Sequence, residues 1–554
     1  MTRHITIGLL SSLALFLSPF CAQVVRANTI KASTCSTSDV QTAINAAAGG
    51  DTVTIPAGTC TWTSGVTISG KGISVQGSGS GRIIAVSSSS QVLTTGSKTF
   101  TVTGADPGKP LAISVGQTVN LTETNNRANA MSGTVSSLNG NTLVMNIVSA
   151  SGSCTLVTYP SSPEVNCGRW LISTIPTTVL INNSSNTLFA VTEDSTFHTN
   201  LSGFKIAHGT GSGHGIDFIS GGGQAIVLHD CWIEQGSGDS IHSNVSRGVV
   251  SRCSFDSTPF SMSPIAFHFQ PYDQTAWSLP SYFGANDSDG QHNFYIEDCD
   301  FHAYLNATDN DEAARTVFRY NLMNNAGFGT HGADTGPFGS RYFEFYNNVG
   351  IFDAYSNLTT FPMNWWMYVR GGTFVVHNNT LPDLRSTDFG TKATVNMTVM
   401  NLQRNSAPLP CWGANYLASG QYYPAPHQVG LGYVTGKGTA NYAPDGVINS
   451  TTYPLTSLGY PPQYVGDSEP GYIWGNSTVP LSASMTDYGS SQSNSCIGAT
   501  YDHSSSYIQL GRDYFNGTTA KPGYAPYAYP HPLALSSGSG NPPAPPTGLT
   551  AVVQ

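Results

Sequence analysis

The stretch FYIEDCDF, residues 294–301, decides the fold. It is a short apolar strand closed by a small residue, Cys299. The pattern recurs as VLHDCWI from Val227, VVSRCSF from Val249, VFRYNLM from Val317, FEFYNNV from Phe343 and FVVHNNT from Phe374. The fifth or equivalent position holds Cys231, Cys253, Cys299, Asn321, Asn347 and Asn378, spaced by 22, 46, 22, 26 and 31 residues. The long step reads as two periods or as one period with an insertion, and QPYDQTAWSLPSYFGANDSDGQ (270–291) fits an insertion. A period in the low twenties, made of short strands without helices, points to a β-solenoid. Residues at one coil position then stack, about 4.8 Å apart. Asn amides bond to one another along such a column, and small thiols fill it as compact apolar groups. The six residues are therefore expected to form one column, with the cysteines packed rather than reactive.

Composition agrees. Charged residues make up 10% of the 554 positions, against about 25% in an average protein. Gly is abundant, at 59 residues. Such chains favour strands and tight turns. The best helical segment is STSDVQTAINAA, with Ser36 or Ser38 as N-cap and Val40, Ile44 and Ala47 on one face. A net charge of −10 without a basic stripe argues against nucleic acid as a partner.

Arg3 and His4 precede the apolar run IGLLSSLALFL, and VVRA ends at Ala27. This is the layout of a secretory signal, too short to span a bilayer. A secreted or cell-surface protein, not membrane-spanning and monomeric, is expected. Cys21 leaves with the signal, and nine cysteines remain. Cys35 and Cys60 flank the helical segment and can tie a cap, Cys154 and Cys167 bracket a loop, and Cys411 and Cys496 lie in the last third.

Residues 39–79, DVQTAINAAAGGDTVTIPAGTCTWTSGVTISGKGISVQGSG, resemble the opening cap and first coil of right-handed parallel β-helix proteins of the pectate-lyase-like superfamily. AARTVFRYNLMNNAGFGTHGADTGPFGSRYFEFYNN and GRDYFNGTTAKPGYAPYAYPHPL resemble exported bacterial β-helix proteins. The resemblance spans most of residues 30–535. It implies an all-β fold: a right-handed parallel β-helix with a small inserted β domain and an irregular C-terminal wrap. The expected organisation is a signal peptide (1–27), cap and first coil (28–97), inserted β domain (98–173), coils (174–380), capping region (381–535), and linker and tail (536–554). The insert carries an NGNT hairpin signal and resembles a small β module of phage-tail and surface proteins. PPAPPTGLTAV resembles the start of a fibronectin type III domain.

Solenoids present function on an outward strand face. With Ile216, Phe218, Ile241, Phe267, Met367 and Val369 turned into the core, alternation turns Asp217, His242, His268, Tyr368 and Arg370 outward. His331 in FGTHGAD joins them. The plain alternative is an ordinary polar outer face. Six residues ahead of the column stand Arg247, Arg315 and Arg341, which could equally be rungs of a structural Arg–carboxylate ladder. The superfamily contains lyases, hydrolases and adhesins. Adjacent aspartates of the polygalacturonase kind are absent, since SGDSIHS carries only Asp239. The expected activity is lyase-type cleavage of an acidic polysaccharide. Its catalytic residues would come from His242, His268, His331, Arg315, Arg341 and Arg370. Asp217, Trp366 and Tyr368 would bind substrate, and Asp309, Asp311 and Glu312 are the nearest group to hold Ca²⁺. The competing expectation is a non-catalytic adhesion or spacer protein with the insert as its binding module.

Overall fold

A computed structural model describes residues 27–351 with short interruptions, 367–380, and beyond these mainly 468–476 and 510–536. The signal segment, the terminal linker, His331, Glu312 and Trp366 lie outside the described residues. Among the described residues, three all-parallel sheets form the body of the protein: sheet A with twelve strands, sheet B with eight and sheet C with ten. Each coil visits them in the order A, B, C. One coil, for example, comprises Ile226–His229, Trp232–Glu234 and Ile241–Ser243, and the next begins at Gly248–Ser251. This is a right-handed parallel β-helix, the hand taken by strand–crossover–parallel-strand connections.

Alternation fills the interior. Phe255 stacks on Phe301 at 5.0 Å, Phe318 on Phe345 at 5.2 Å and Phe343 on Phe374 at 5.3 Å, each pair from neighbouring coils. Between sheets A and B six successive coils turn through one left-handed residue, Asp230, Arg252, Asp298, Tyr320, Asn347 and Asn378, with φ between 50° and 56°, and Gly203 and Gly475 take the same place in the coils on either side. The inward residue that follows builds the column. It contains Cys231, Cys253, Cys299 and Asn321 as expected, but then Asn348, Asn379 and Asn476 rather than Asn347 and Asn378. Val317 pairs with Glu344, not with Phe343, so the coil from Asn321 to Asn348 takes 27 residues and slips the register by one. The Asn amides bond one another along the column, and that of Asn348 is saturated. The Asn348 side chain donates to Asn379 Oδ1 (3.1 Å) and to Phe318 O (3.0 Å), and accepts from Asn321 N (2.9 Å) and Asn321 Nδ2 (3.2 Å). The three cysteines are buried and free. The long step between Cys253 and Cys299 is a single coil with an insertion, since Gly248–Ser251 pairs directly with Phe294–Glu297.

The helix Thr37–Ala46 caps the first coil, with Ser36 accepting from the Asp39 amide, and a Cys35–Cys60 disulfide ties the cap down. The helix does not end near residue 380. Gly471–Trp474 and Tyr514–Gly517 extend sheet A further.

A closed six-stranded antiparallel barrel runs from Ile83–Gln91 to Cys167–Ser173, with Phe100, Leu121, Leu143, Met145 and Trp170 inside. It starts at Ile83, earlier than the expected 98. The alternating IIAVSSSSQ has the same pattern as a coil strand, and only its antiparallel partners separate the two. A tight turn follows Asn139, where Gly140 takes φ 56°. The barrel lies on the outer face of sheet B: Ile83, Val86 and Leu171 pack on Trp232 and Leu322, and the Ile83 amide donates to Ser254 Oγ at 3.1 Å.

Sheet A has its own cover, residues 524–536. Tyr524 donates to Glu344 at 2.6 Å, and the His531 amide donates to Glu297 at 2.8 Å. Arg319, fully buried, bonds Glu297, the Tyr346 hydroxyl and the carbonyls of Tyr527 and Ala528. Among the described residues, no helix is long and apolar enough to cross a membrane.

Candidate active site on sheet C

With sheet B under the barrel and sheet A under the C-terminal segment, sheet C is partly open among the described residues: Asp217, His242 and His268 reach the surface, whereas Asp309, Asp311 and Tyr368 further along are buried. Its pairing places Asp217 beside His242, His242 beside His268, His268 beside Asp309, Asp309 beside Gly329, and Gly329 beside Tyr368. These residues form one outward row, six coils long. The next outward position toward sheet A holds Gln270 and then Asp311. Two further residues, His214 and Asp239, come from the turns that lead into the sheet C strands.

Neighbours in the row bind one another. His242 Nδ1 lies 2.9 Å from Asp217 Oδ1, and its Nε2 lies 3.3 Å from Gln270 Oε1. His268 Nδ1 lies 3.2 Å from Asp239 Oδ2. The His214 ring stacks on His242 at 5.2 Å, and His268 meets His242 edge-on at 5.8 Å. His214 is the most open of the three, with its side chain 36% exposed.

The three imidazoles do not titrate alike. Burial disfavours the charged form of His242, but hydrogen bonds to Asp217 and Gln270 outweigh it and raise the pKa. Burial likewise opposes charge on His268. The bond to Asp239 and the charges of Asp309, Asp239 and Asp311 carry its pKa upward too. His214 goes the other way: burial lowers its pKa, Asp239 only partly offsets this, and the adjacent His242 adds to the lowering. Neighbouring groups driven apart in this way are a common mark of acid–base sites.

Asp217, His242 and His268 thus share one partly exposed face. The row is not the bare cationic groove that histidines alone would make, because every imidazolium has a carboxylate beside it. The arginines are placed differently from expectation. Arg315, Arg341 and Arg370 are 3%, 0% and 3% exposed. Arg341 bonds Glu469 at 2.9 Å and stands one residue out of register with Arg315. Arg370 donates from Nε to Thr330 O at 2.7 Å and lies over the Tyr368 ring. Long side chains tied to the backbone and to carboxylates under the surface brace the coils and do not project from the face. Tyr368 is also largely buried. Its ring lies across Gly329, where a Cβ would meet it at 2.4 Å, and its hydroxyl accepts from Asn306 Nδ2 at 2.5 Å.

Of the residues expected to hold calcium, Asp309 and Asp311 are charge partners of His268. Among the described residues, no group of three His, Cys, Asp or Glu side chains is arranged to hold an ion. His214, Asp239 and Gln270 were not among the expected site residues. Strand parity says nothing about turn residues, which hid the first two, and Gln270 sits one position past the strand end.

No protein-family model matches the chain, and no curated protein does. Among solved structures, the chain is similar to an alginate lyase from Paenibacillus sp. str. FPU-7 at 10% identity, over 69% of this chain and 96% of that one, with a TM-score of 0.22. A likeness at that score decides nothing about chemistry. The class of the molecule rests on its own strand pairing: a right-handed parallel β-helix with an inserted barrel, bearing a row of imidazoles and carboxylates on its open face.

Proposed function

We propose that the protein binds an extracellular polysaccharide along the open face of sheet C and cleaves it there by elimination at an acidic sugar. The observation that carries this reading is the row Asp217–His242–His268, partly exposed on sheet C, with Asp309 buried at its end. A flat parallel sheet several coils long suits an extended chain, and its titratable groups are held in place by their own ion pairs.

In this reading His268 is the proton carrier. Its Nδ1 is held by Asp239, and its Nε2 is buried, so proton exchange at Nε2 requires the ring to turn toward the bound sugar. The neutral imidazole takes the sugar's C5 proton, and that electron pair becomes the C4–C5 double bond as the C4–O bond breaks. The leaving oxygen then takes the proton from the imidazolium just formed. The positive charge of His242 beside it favours the carboxylate-bearing ring and its enolate-like transition state.

Hydrolysis is the second reading, favoured by the carboxylates of Asp239 and Asp309 on either side of His268. One experiment separates the readings. The purified protein is incubated with acidic glycans (polygalacturonate, alginate, glycosaminoglycans) and neutral ones, with and without calcium. Unsaturated uronate absorbance and reducing ends are both measured. Both signals rising together indicate elimination, and reducing ends alone indicate hydrolysis. Binding without either signal leaves the adhesion reading in front.

A further inference from the structure

We infer that Gln270 is a positioning residue: it holds His242 with a proton on both ring nitrogens, a fixed cation, and so leaves His214 as a neutral donor presenting its Nε2–H to the open face. The inference deepens the proposed site and rests on that reading only for its catalytic meaning. The protonation pattern follows from hydrogen-bond chemistry alone.

A carboxylate oxygen only accepts, so the contact between His242 Nδ1 and Asp217 Oδ1 at 2.9 Å needs a proton on Nδ1. At the other nitrogen stands the Gln270 side-chain amide. Its NH₂ group is directed at Asp311 Oδ2, 3.4 Å away, and an ionised carboxylate requires a donor there. The amide is thereby oriented with Oε1 toward His242. A carbonyl oxygen also only accepts, so the 3.3 Å contact needs a proton on Nε2 as well. An imidazole with both nitrogens donating is an imidazolium.

His214 has the opposite constraint. The backbone N–H of Asp239 donates to His214 Nδ1 at 3.2 Å, so this nitrogen must offer a lone pair. The Asp239 carboxylate stands 3.6 Å away, too far for a hydrogen bond to the same atom. With Nδ1 accepting, the neutral ring carries its proton on Nε2. Stacking at 5.2 Å on a permanent cation disfavours a second charge. The charged or titratable groups around His242 are Asp217 from its own sheet row, His214 and Asp239 from the turns, His268 from the next coil, and Asp311 behind Gln270. Of the carboxylates nearest the imidazoles, Asp217 bonds His242 and Asp239 bonds His268.

Both N–H groups of His242 are occupied, and none of the described residues bonds His214 Nε2. Substrate contact therefore falls to His214, and His242 sets its state. His214 Nε2–H would bind an acceptor oxygen on the sugar, a carboxylate or a hydroxyl.

The test is imidazole ¹⁵N NMR on the full-length ¹⁵N-labelled protein, with His242→Gln and His214→Gln giving the assignments. Both His242 nitrogens should show protonated-type shifts at neutral pH, and His214 should show a single proton on Nε2. Gln270→Leu should move the His242 titration down by about one pH unit, and Gln270→Glu, which restores an acceptor, should return it. A His242 ring that is singly protonated at neutral pH in the wild type overturns the inference. So does a His214 proton on Nδ1, or a titration unmoved by Gln270→Leu. The wild-type spectrum decides even if a Gln270 variant does not fold. Absence of glycan cleavage would overturn the proposed function and leave these spectra as they are.

Discussion

Replacing Asn348 by Ala tests the column that holds the coils in register. The Asn348 side chain makes four hydrogen bonds inside the helix. After truncation, Asn321 Nδ2 keeps Ile296 O, and Asn379 Oδ1 keeps the Asn348 amide. Two groups lose their side-chain partner, the Asn321 amide N–H and Phe318 O. A buried polar group left unsatisfied costs about 1–3 kcal/mol, so the variant should lose about 3 kcal/mol. Asn347 is the control. It sits at φ 54°, outside the column. Asn347→Ala should cost about 1–2 kcal/mol, for a left-handed residue with a Cβ and for the lost hydrogen bond to Tyr320, and Asn347→Gly about 1 kcal/mol, for that bond alone. Urea denaturation followed by circular dichroism reads all three. If Asn347→Ala proves as costly as Asn348→Ala, or if Asn348→Ala costs under about 1 kcal/mol, the hydrogen-bonded column is not what holds the register.

On a glycan substrate identified by the panel, Asp239→Asn should lower kcat at least about 100-fold while the melting temperature stays close to wild type. Equal losses in both would make Asp239 structural. If His268 is the base, kcat should rise with pH through its raised pKa, above the ordinary histidine value of about 6.5; a rate that falls over that range would exclude the role. Arg319→Met should cost about 3–5 kcal/mol by stranding Glu297, whereas the double variant with Glu297→Met should recover most of it, as melting curves would show. Burial holds His377 and His531 at about 3. A folded pKa below the unfolded one means that stability is lost as pH falls from about 6.5 toward about 3, by about 1.4 kcal/mol per pH unit for each histidine. His531→Gln should flatten that slope in denaturation curves taken across the range.

The sequence made the helix legible because burial on the inside forces alternation. Strands such as FYIEDCDF and VLHDCWI showed which residues face in, and alternation alone aligned Asp217, His242 and His268. The column slipped at Asn347 and Asn378 because each is followed by a second asparagine, and only the left-handed residue of each coil distinguishes the two. His214 and Asp239 stayed hidden because turns have no period. The arginines misled for a related reason. Spacing put Arg315 and Arg341 at one coil position without saying that Arg315 opens a strand of sheet A, and parity does not say whether a long side chain reaches outward or folds back onto a carbonyl, as that of Arg370 does onto Thr330.

The barrel's place in the chain bears on how the molecule assembles. It is spliced in after the first coil, yet it leans on Trp232, Ser254 and Leu322, which belong to much later coils. A chain threading out from its N-terminus completes the barrel before any of those coils exist. Its strands are antiparallel, close in sequence and quick to pair, while parallel coils are slow to form and sticky until stacked. The barrel can thus stand as a finished wall against which each new turn of sheet B is laid, shielding an apolar flank that would otherwise meet other unfinished chains.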